Sequence, residues 1–595
     1  MKEFIKMTFA TVTGIVIFMA IMGILFAMSL VGMVASDSST KSVDKNSVMV
    51  LKLNGSLDER SENPSPISLL SGGNLMESGM GLDQVLSAIE KAKDNEDIKG
   101  IYIEGGMFAP DSYASLQAIR NALSDFRKSG KWIVSYADQY TTATYYLASV
   151  ANKVYMNPEG MLDWHGMAAQ PYYLKDALAK VGVQVQLAKV GAYKSAPEMF
   201  TSDHMSDANR EQVTAYLNGI WGNVVKAVSE SRKISVDSLN AYADRFITLS
   251  KADELKKLKL IDGTLYTDQV KGEIRKMLKI DEDDEIHQLG LADMGNVKRS
   301  KKEGDQIAVY YAYGDIVSEA GENLFGGGSV IASSTVCPDL EKLAKDDDVK
   351  AVVLRVNSGG GSAYASEQIW HQIEMLKQKK PVVVSMGGMA ASGGYYISCG
   401  SQWIVAEPTT LTGSIGIFGM FPDYSGLLKD KLGVKFDEVK TNRNSGFGTR
   451  ARPFNEEEMS YLNTYIQRGY DLFRKRVADG RKMSIDQVEK IAQGHVWLGQ
   501  DALGIKLVDE LGGLEKAVAK AAKLAKLDKY HTESYPGQPD IFDQLLASAS
   551  GANGNYLDEQ LRLTLGEYYG TLMLLRSMPY QECIQARLPY VPNIH

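Results

Sequence analysis

VKAVVLRVNSGGG (Val349–Gly361) and IKGIYIEGG (Ile98–Gly106) read as one strand written twice. Each is a short, nearly continuous apolar run ending in glycine, the kind of strand a parallel sheet buries on both faces. The match extends outward in order. Before each run lies an amphipathic helical stretch, and before that an opening strand, VMVLKLNGSLDE (Val48–Glu59) in one copy and IAVYYAYGDIVSE (Ile307–Glu319) in the other. After each run come WIVSYADQYTTATYYLAS and VVVSMGGMAASGGYYISC, where Ser135 and Tyr145 correspond to Ser385 and Tyr395 at a constant offset of 250 (385 − 135 and 395 − 145). Both copies close alike, with ITLSKADELKKLKLIDGTLYTDQV (Ile247–Val270) and VWLGQDALGIKLVDELGGLEKAV (Val496–Val518). Strands alternating with helices predict a mainly parallel α/β fold in each of two tandem repeats.

The repeats divide the chain. Residues 48–280 form the first repeat and 306–530 the second, joined by a polar, charge-dense linker, 281–305. Residues 531–595 match nothing upstream and form a C-terminal extension. Within it Leu561–Ser577 reads as an amphipathic helix, whose charges suit a core or oligomer contact better than a second membrane span. A chain of 595 residues exceeds what one core supports, so at least two domains are expected. The formal net charge of −8 argues against nucleic acid, which calls for a concentrated basic face. Cys337, Cys399 and Cys583 lack the spacing of a disulfide framework or a zinc site.

Residues 1–47 predict an N-terminus, anchor and stalk. No charge occurs from Met7 through Ser36. As a helix this stretch exceeds the roughly 30 Å core of a bilayer, and it outruns the apolar run of about 7–15 residues in a cleavable signal peptide. A retained transmembrane helix is therefore expected. Lys2 and Lys6 precede it and place that end in the cytoplasm, although Lys41 and Lys45 beyond it weaken the bias.

Two glycine-rich stretches in the second repeat follow strands. Asn357-Ser358-Gly359-Gly360-Gly361-Ser362 lacks the Lys-Ser/Thr of a P-loop and the spacing of a dinucleotide fingerprint. Met389-Ala390-Ala391-Ser392-Gly393-Gly394-Tyr395 places a serine where a strand-to-helix turn exposes its hydroxyl and frees the next N–H for an oxyanion. By itself such a motif is also a common packing turn. The first repeat decides between the readings, because the counterpart of Ser392 is Thr142, set among no glycines. A nucleophilic serine needs a base. No histidine lies within the Ser392 motif, and His371 reads as an ordinary helix residue. Lys194, in KVGAYKSAPEMF (Lys189–Phe200), has small or apolar neighbours, whose desolvation can lower a lysine pKa towards neutrality. The matching region of the second repeat carries Arg443, which stays charged and cannot act as a base. These complementary losses suggest one site shared between the repeats.

With VNSGGGS, MAASGGYYIS, LTGSIGIFG, GAYKSA and VWLGQDALGIKLVDELGG in place, the chain resembles the long, two-repeat form of the signal peptide peptidase A family, within the Clp-protease/crotonase superfamily. The resemblance implies two tandem Clp-protease/crotonase-like repeats behind one N-terminal transmembrane helix. It implies a serine peptidase with Ser392 as nucleophile, Lys194 as general base and Ser414 orienting the lysine. Gly393 and the Gly360-Gly361 pair would supply the oxyanion hole, and neither metal nor other cofactor is needed. This chain has Gly359 where the family usually has proline. The resemblance further implies a homo-oligomer, commonly a tetramer, on the outer side of a bacterial inner membrane, acting on remnant signal peptides. Two other readings share the fold: a crotonase-type acyl-CoA enzyme, and a non-catalytic membrane scaffold.

Overall fold

The structure, a computed structural model, describes residues 42–61, 79–298, 303–320, 329–537 and 584–587, with scattered positions between 6 and 22. The expected transmembrane stretch falls largely, and the Leu561–Ser577 helix wholly, outside the described residues. Among the described residues no helix is long and apolar enough to cross a membrane.

In the first repeat β1 (Ser47–Asp58), β2 (Ile98–Pro110), β3 (Trp132–Tyr140) and β4 (Lys153–Leu162) lie side by side as a parallel sheet. Helices α1 (Leu82–Asp94), α2 (Tyr113–Lys128) and α3 (Thr142–Ala148) follow the first three strands. In α1, Leu82, Val85, Ala88, Ile89 and Ala92 recur every three or four residues and are buried, so one face of the helix covers the sheet. Ser112 starts α2 by accepting a bond from the Ser115 N–H. The linker begins as part of this repeat: Gln288–Leu289 pairs with β1, and Leu289, Met294 and Val297 are buried. After β4 the chain leaves the sheet as β5 (Gln184–Val190) and then forms the long α4 (Asp207–Arg232).

The second repeat repeats the plan. Its strands are β6 (Asp305–Tyr313), β7 (Asp315–Val317), β8 (Val349–Ser358), β9 (Gly360–Ser362), β10 (Val382–Ala391), β11 (Trp403–Ala406), β12 (Leu411–Gly413) and β13 (Ile417–Asp423). Then follow β14 (Val496–Leu498) and β15 (Tyr530–Tyr535), with a last described strand, β16 (Ile584–Arg587). Helices α5 (Ser333–Lys345), α6 (Ala363–Lys377), α7 (Gly393–Ser398) and α8 (Glu456–Arg481) pack among them. The main sheet runs β14-β12-β10-β8-β6-β15, parallel except where β14 meets β12, and β11 pairs with β10. The internal repeat extends to side-chain bonds. Tyr145 donates to the Leu260 carbonyl at 2.6 Å, and Tyr395, its counterpart, donates to Leu507 at 2.9 Å. Asp262 pairs with Arg232 as Asp509 pairs with Arg481.

Among the contacts that join the repeats, two set their placement. In a third sheet, ordered Val330–Ala332, β7, β9, β16, β13, β5, a strand of the first repeat lies antiparallel to β13 from Gln184 opposite Asp423 to Val190 opposite Ile417. Elsewhere Glu59 of the first repeat meets Arg355 of the second at 2.6 Å, both buried. Asn357 donates to Glu59 at 2.9 Å and to Asp111 at 3.0 Å. Breaking such a buried pair by removing one partner typically costs about 3–5 kcal/mol, so these contacts fix the mutual placement of the repeats.

Candidate active site

Ser392 sits between β10 and α7, fully buried, with φ +55° and ψ −113°. A non-glycine residue reaches positive φ only under constraint. Here the constraint is bonding on both sides: the Ser392 N–H donates to the Gly413 carbonyl at 2.8 Å, and the Tyr396 N–H donates back to the Ser392 carbonyl at 2.8 Å. Thr142 in the first repeat lies instead just inside a helix that Thr141 caps with φ −75°, so the sharp turn belongs to one copy alone. Gly393 and Gly394 permit the close approach: a methyl on Gly394 would stand 2.5 Å from the Ser358 carbonyl, and one on Gly393 would stand 2.7 Å from Ser366 Oγ.

The β5–β13 pairing delivers Lys194 to this turn. Its Nζ lies 2.6 Å from Ser392 Oγ, 3.0 Å from Ser414 Oγ and 3.1 Å from the Ser414 carbonyl oxygen. Lys194 is 1% exposed, and burial alone pushes its pKa well below the usual lysine range. A neutral amine has two N–H donors and one lone pair. In that form Lys194 offers its two donors to the two Ser414 oxygens and keeps a lone pair for the Ser392 hydroxyl proton. This arrangement can activate a serine without histidine. His371 is exposed on α6, and Arg443 is exposed and paired with Glu457.

Gly360 and Gly361 lie in β9 beside the turn, Gly360 with φ +100°. The Gly360 N–H donates to Ser358 Oγ at 3.1 Å, so this glycine's part is to bring the backbone close. Gly361 faces Ile316 of β7 on one side and Ala586 of β16 on the other. Gly359 stays out of the left-handed region, so its backbone does not depend on being glycine there.

Sequence reading missed the turn Gln493–His495. The Tyr193 N–H donates to the Gln493 carbonyl at 2.9 Å, the Gly494 N–H to the Ile415 carbonyl at 2.8 Å, and the Ser414 N–H to the His495 carbonyl at 2.7 Å. The turn thus holds both the Lys194 loop and Ser414, which has φ +50°. Gln212 of α4 adds a second brace, donating to the Tyr193 carbonyl and accepting from the Val496 N–H, each at 3.1 Å. The only sequence signal for the turn was its position directly before the closing signature at Val496.

A serine hydrogen-bonded to a buried lysine whose pKa burial lowers, at a strained strand-to-helix turn, is an arrangement suited to a serine hydrolase. A profile of peptidase family S49 matches residues 125–281 and 374–528, once in each repeat, and a Clp protease profile matches 310–404. The chain is 38% identical over 491 residues to Protease 4 of Salmonella typhi, covering 81% of this chain and 78% of that protein. It is 37% identical over 527 residues to Protease 4 of Haemophilus influenzae, covering 84% and 83%. It is 30% identical over 490 residues to the chloroplastic serine protease SPPA of Arabidopsis thaliana, covering 82% and 70%. The chain belongs to peptidase family S49 and is a serine peptidase with Clp-protease-like repeats.

Proposed function

We propose that this peptidase works through a Ser392–Lys194 dyad and degrades remnant signal peptides at a membrane. The observation that carries the dyad is the 2.6 Å contact between the buried Lys194 Nζ and Ser392 Oγ. Ser392 Oγ attacks the scissile carbonyl as Lys194 takes its proton. The oxyanion is met by the N–H of Gly393, with the Gly360-Gly361 backbone closing the other side. Lys194 returns the proton to the departing amine, and a water activated by the same lysine then hydrolyses the acyl-enzyme. Ser414 holds the lysine between these steps.

The uncharged stretch Met7–Ser36 supports a single-pass anchor in a bacterial inner membrane, with the repeats on the extracytoplasmic side. Apolar peptides remaining in the bilayer suit an enzyme tethered to it. The exposed apolar side chains Leu432, Val434, Phe436 and Val439 support a homo-oligomer, a tetramer in this reading. The test is mapped labelling with a serine-reactive fluorophosphonate. Label should sit on Ser392 in the wild type and disappear in Lys194→Ala. Wild-type turnover by Lys194→Ala would overturn the dyad. Release of the full chain from membranes by alkaline carbonate would overturn the anchor, and a preference for polar over apolar peptides would overturn the substrate class.

A further inference from the structure

We propose that Asn357 is a positioning residue for the nucleophile, through which the first repeat aims Ser392 as well as supplying Lys194. This role rests on the Ser392–Lys194 reading of the site and adds to it the device that orients the serine. Val356 of β8 lies opposite Met386 of β10, but Ser358 lies opposite Ala390, so Asn357 alone spans Gly387, Gly388 and Met389. In the first repeat the corresponding strands, β2 and β3, keep unbroken register from Gly100 opposite Trp132 to Gly105 opposite Ala137. The bulge therefore belongs to the copy that carries the nucleophile.

A bulge bends its strand and re-aims the side chains beyond it. Before the bulge β10 pairs with β11, from Val383 opposite Trp403 to Met386 opposite Ala406. After it β10 pairs with β12, from Met389 opposite Leu411 to Ala391 opposite Gly413. Ser392 and Ser414 follow directly on that last pair, and both meet Lys194. The change of neighbour at the bulge thus sets the two serines side by side.

Asn357 holds the bulge with its whole amide. Its oxygen accepts the Met389 N–H at 3.1 Å, three residues before Ser392. Its nitrogen donates to Glu59 and to Asp111, both of the first repeat. Glu59 also accepts from Arg355, which donates at 3.0 Å to Ser385 Oγ and to the Met386 carbonyl. One carboxylate of the first repeat therefore grips β8 and β10 where the bulge begins. The fit leaves no room for side chains on β10. A methyl on Gly387 would stand 2.8 Å from Glu59 Oε2, and one on Gly388 would stand 2.4 Å from Ser112 Cβ.

The rate of fluorophosphonate labelling at Ser392, per folded full-length chain, reads the aim of the serine, with kcat and KM on an apolar peptide measured alongside. Asn357→Ala should lower the labelling rate and kcat roughly 10- to 100-fold and leave KM unchanged, since a displacement of about 1 Å at a reacting group costs about 100-fold. Gly388→Ala probes the same contact with Asn357 intact, and decides the matter even where Asn357→Ala does not fold. It should slow labelling and kcat in the same way. Adding Ser112→Gly removes the clashing side chain and should return both towards wild-type values. Glycine serves nearly as well as serine at a helix N-cap, so the double variant isolates the contact. If the wild type takes label and Asn357→Ala takes it equally fast, the positioning role is wrong and the dyad reading stands. A change in KM alone, or a double variant as slow as Gly388→Ala, would also overturn it. A wild type that takes no label at Ser392 would bring down the dyad reading and this one together.

Discussion

Ser414 holds the Lys194 amine twice, through its hydroxyl at 3.0 Å and its own carbonyl at 3.1 Å. Ser414→Ala removes the first contact and leaves the second, so the amine keeps its place but gains freedom to rotate. Lys194 is cationic once it holds the Ser392 proton, and a hydrogen bond to a charged group is worth about 1.5–3 kcal/mol, so kcat should fall roughly 10- to 150-fold. KM should change little, because the hydroxyl faces the lysine. Steady-state kinetics on a peptide substrate checks this, and a change confined to KM would refute the positioning role.

Replacing Lys194 should move activity and stability in opposite directions. The folded chain depresses its pKa, while the unfolded chain keeps it near the usual value of about 10.4. Activity should therefore rise with pH as Lys194 loses its proton, on a limb well below that value. In the window between the two pKa values the unfolded state binds more protons, so stability rises with pH there. Lys194→Met should abolish turnover yet melt higher than the wild type at neutral pH, with an advantage that shrinks as pH climbs. A pH–rate limb unchanged in Lys194→Arg would defeat the assignment, since arginine stays charged.

Gly494 has φ +80°, and a methyl there would lie 2.5 Å from the Lys194 nitrogen and 2.7 Å from its Cα. Both atoms are backbone-near and cannot swing away. Gly494→Ala should displace Lys194, and a shift of about 1 Å at a reacting group costs roughly 100-fold. Backbone strain adds about 1–3 kcal/mol of destabilisation. Activity and melting temperature should fall together, in contrast to Ser414→Ala.

The repeated α/β plan was legible because buried strands and their following helices leave long apolar patterns, and two copies check each other. Ser392 stood out against Thr142 for the same reason. Lys194 was harder, since nothing in spacing links residues 198 positions apart. Their meeting depends on β5 crossing to β13, a strand pairing that the apolar pattern does not encode. The Gln493–His495 turn acts through carbonyls and a missing side chain, which leave no residue-type signal. β16 is four residues long, too short to carry a period. The anchor reading concerns residues largely outside those described, and it rests on hydropathy alone.

Asp111, between the repeats, offers a test independent of catalysis. Burial first and the nearby Glu59 charge second push its pKa up to about 7, against bonds from Ser115 and Asn357 and the Arg355 charge, which lower it. The folded chain thus keeps the Asp111 proton to about pH 7, while the unfolded chain releases it near pH 4. Between those values the unfolded state binds fewer protons, so this group lowers stability as pH rises. Asn in its place can still accept from Asn357 and carries no charge. The melting temperature of Asp111→Asn relative to the wild type should therefore climb from about pH 4 to about pH 7 and then level off. A difference that stays constant across that range would mean Asp111 is ionised throughout, and that Arg355, not the proton, balances the pair of carboxylates.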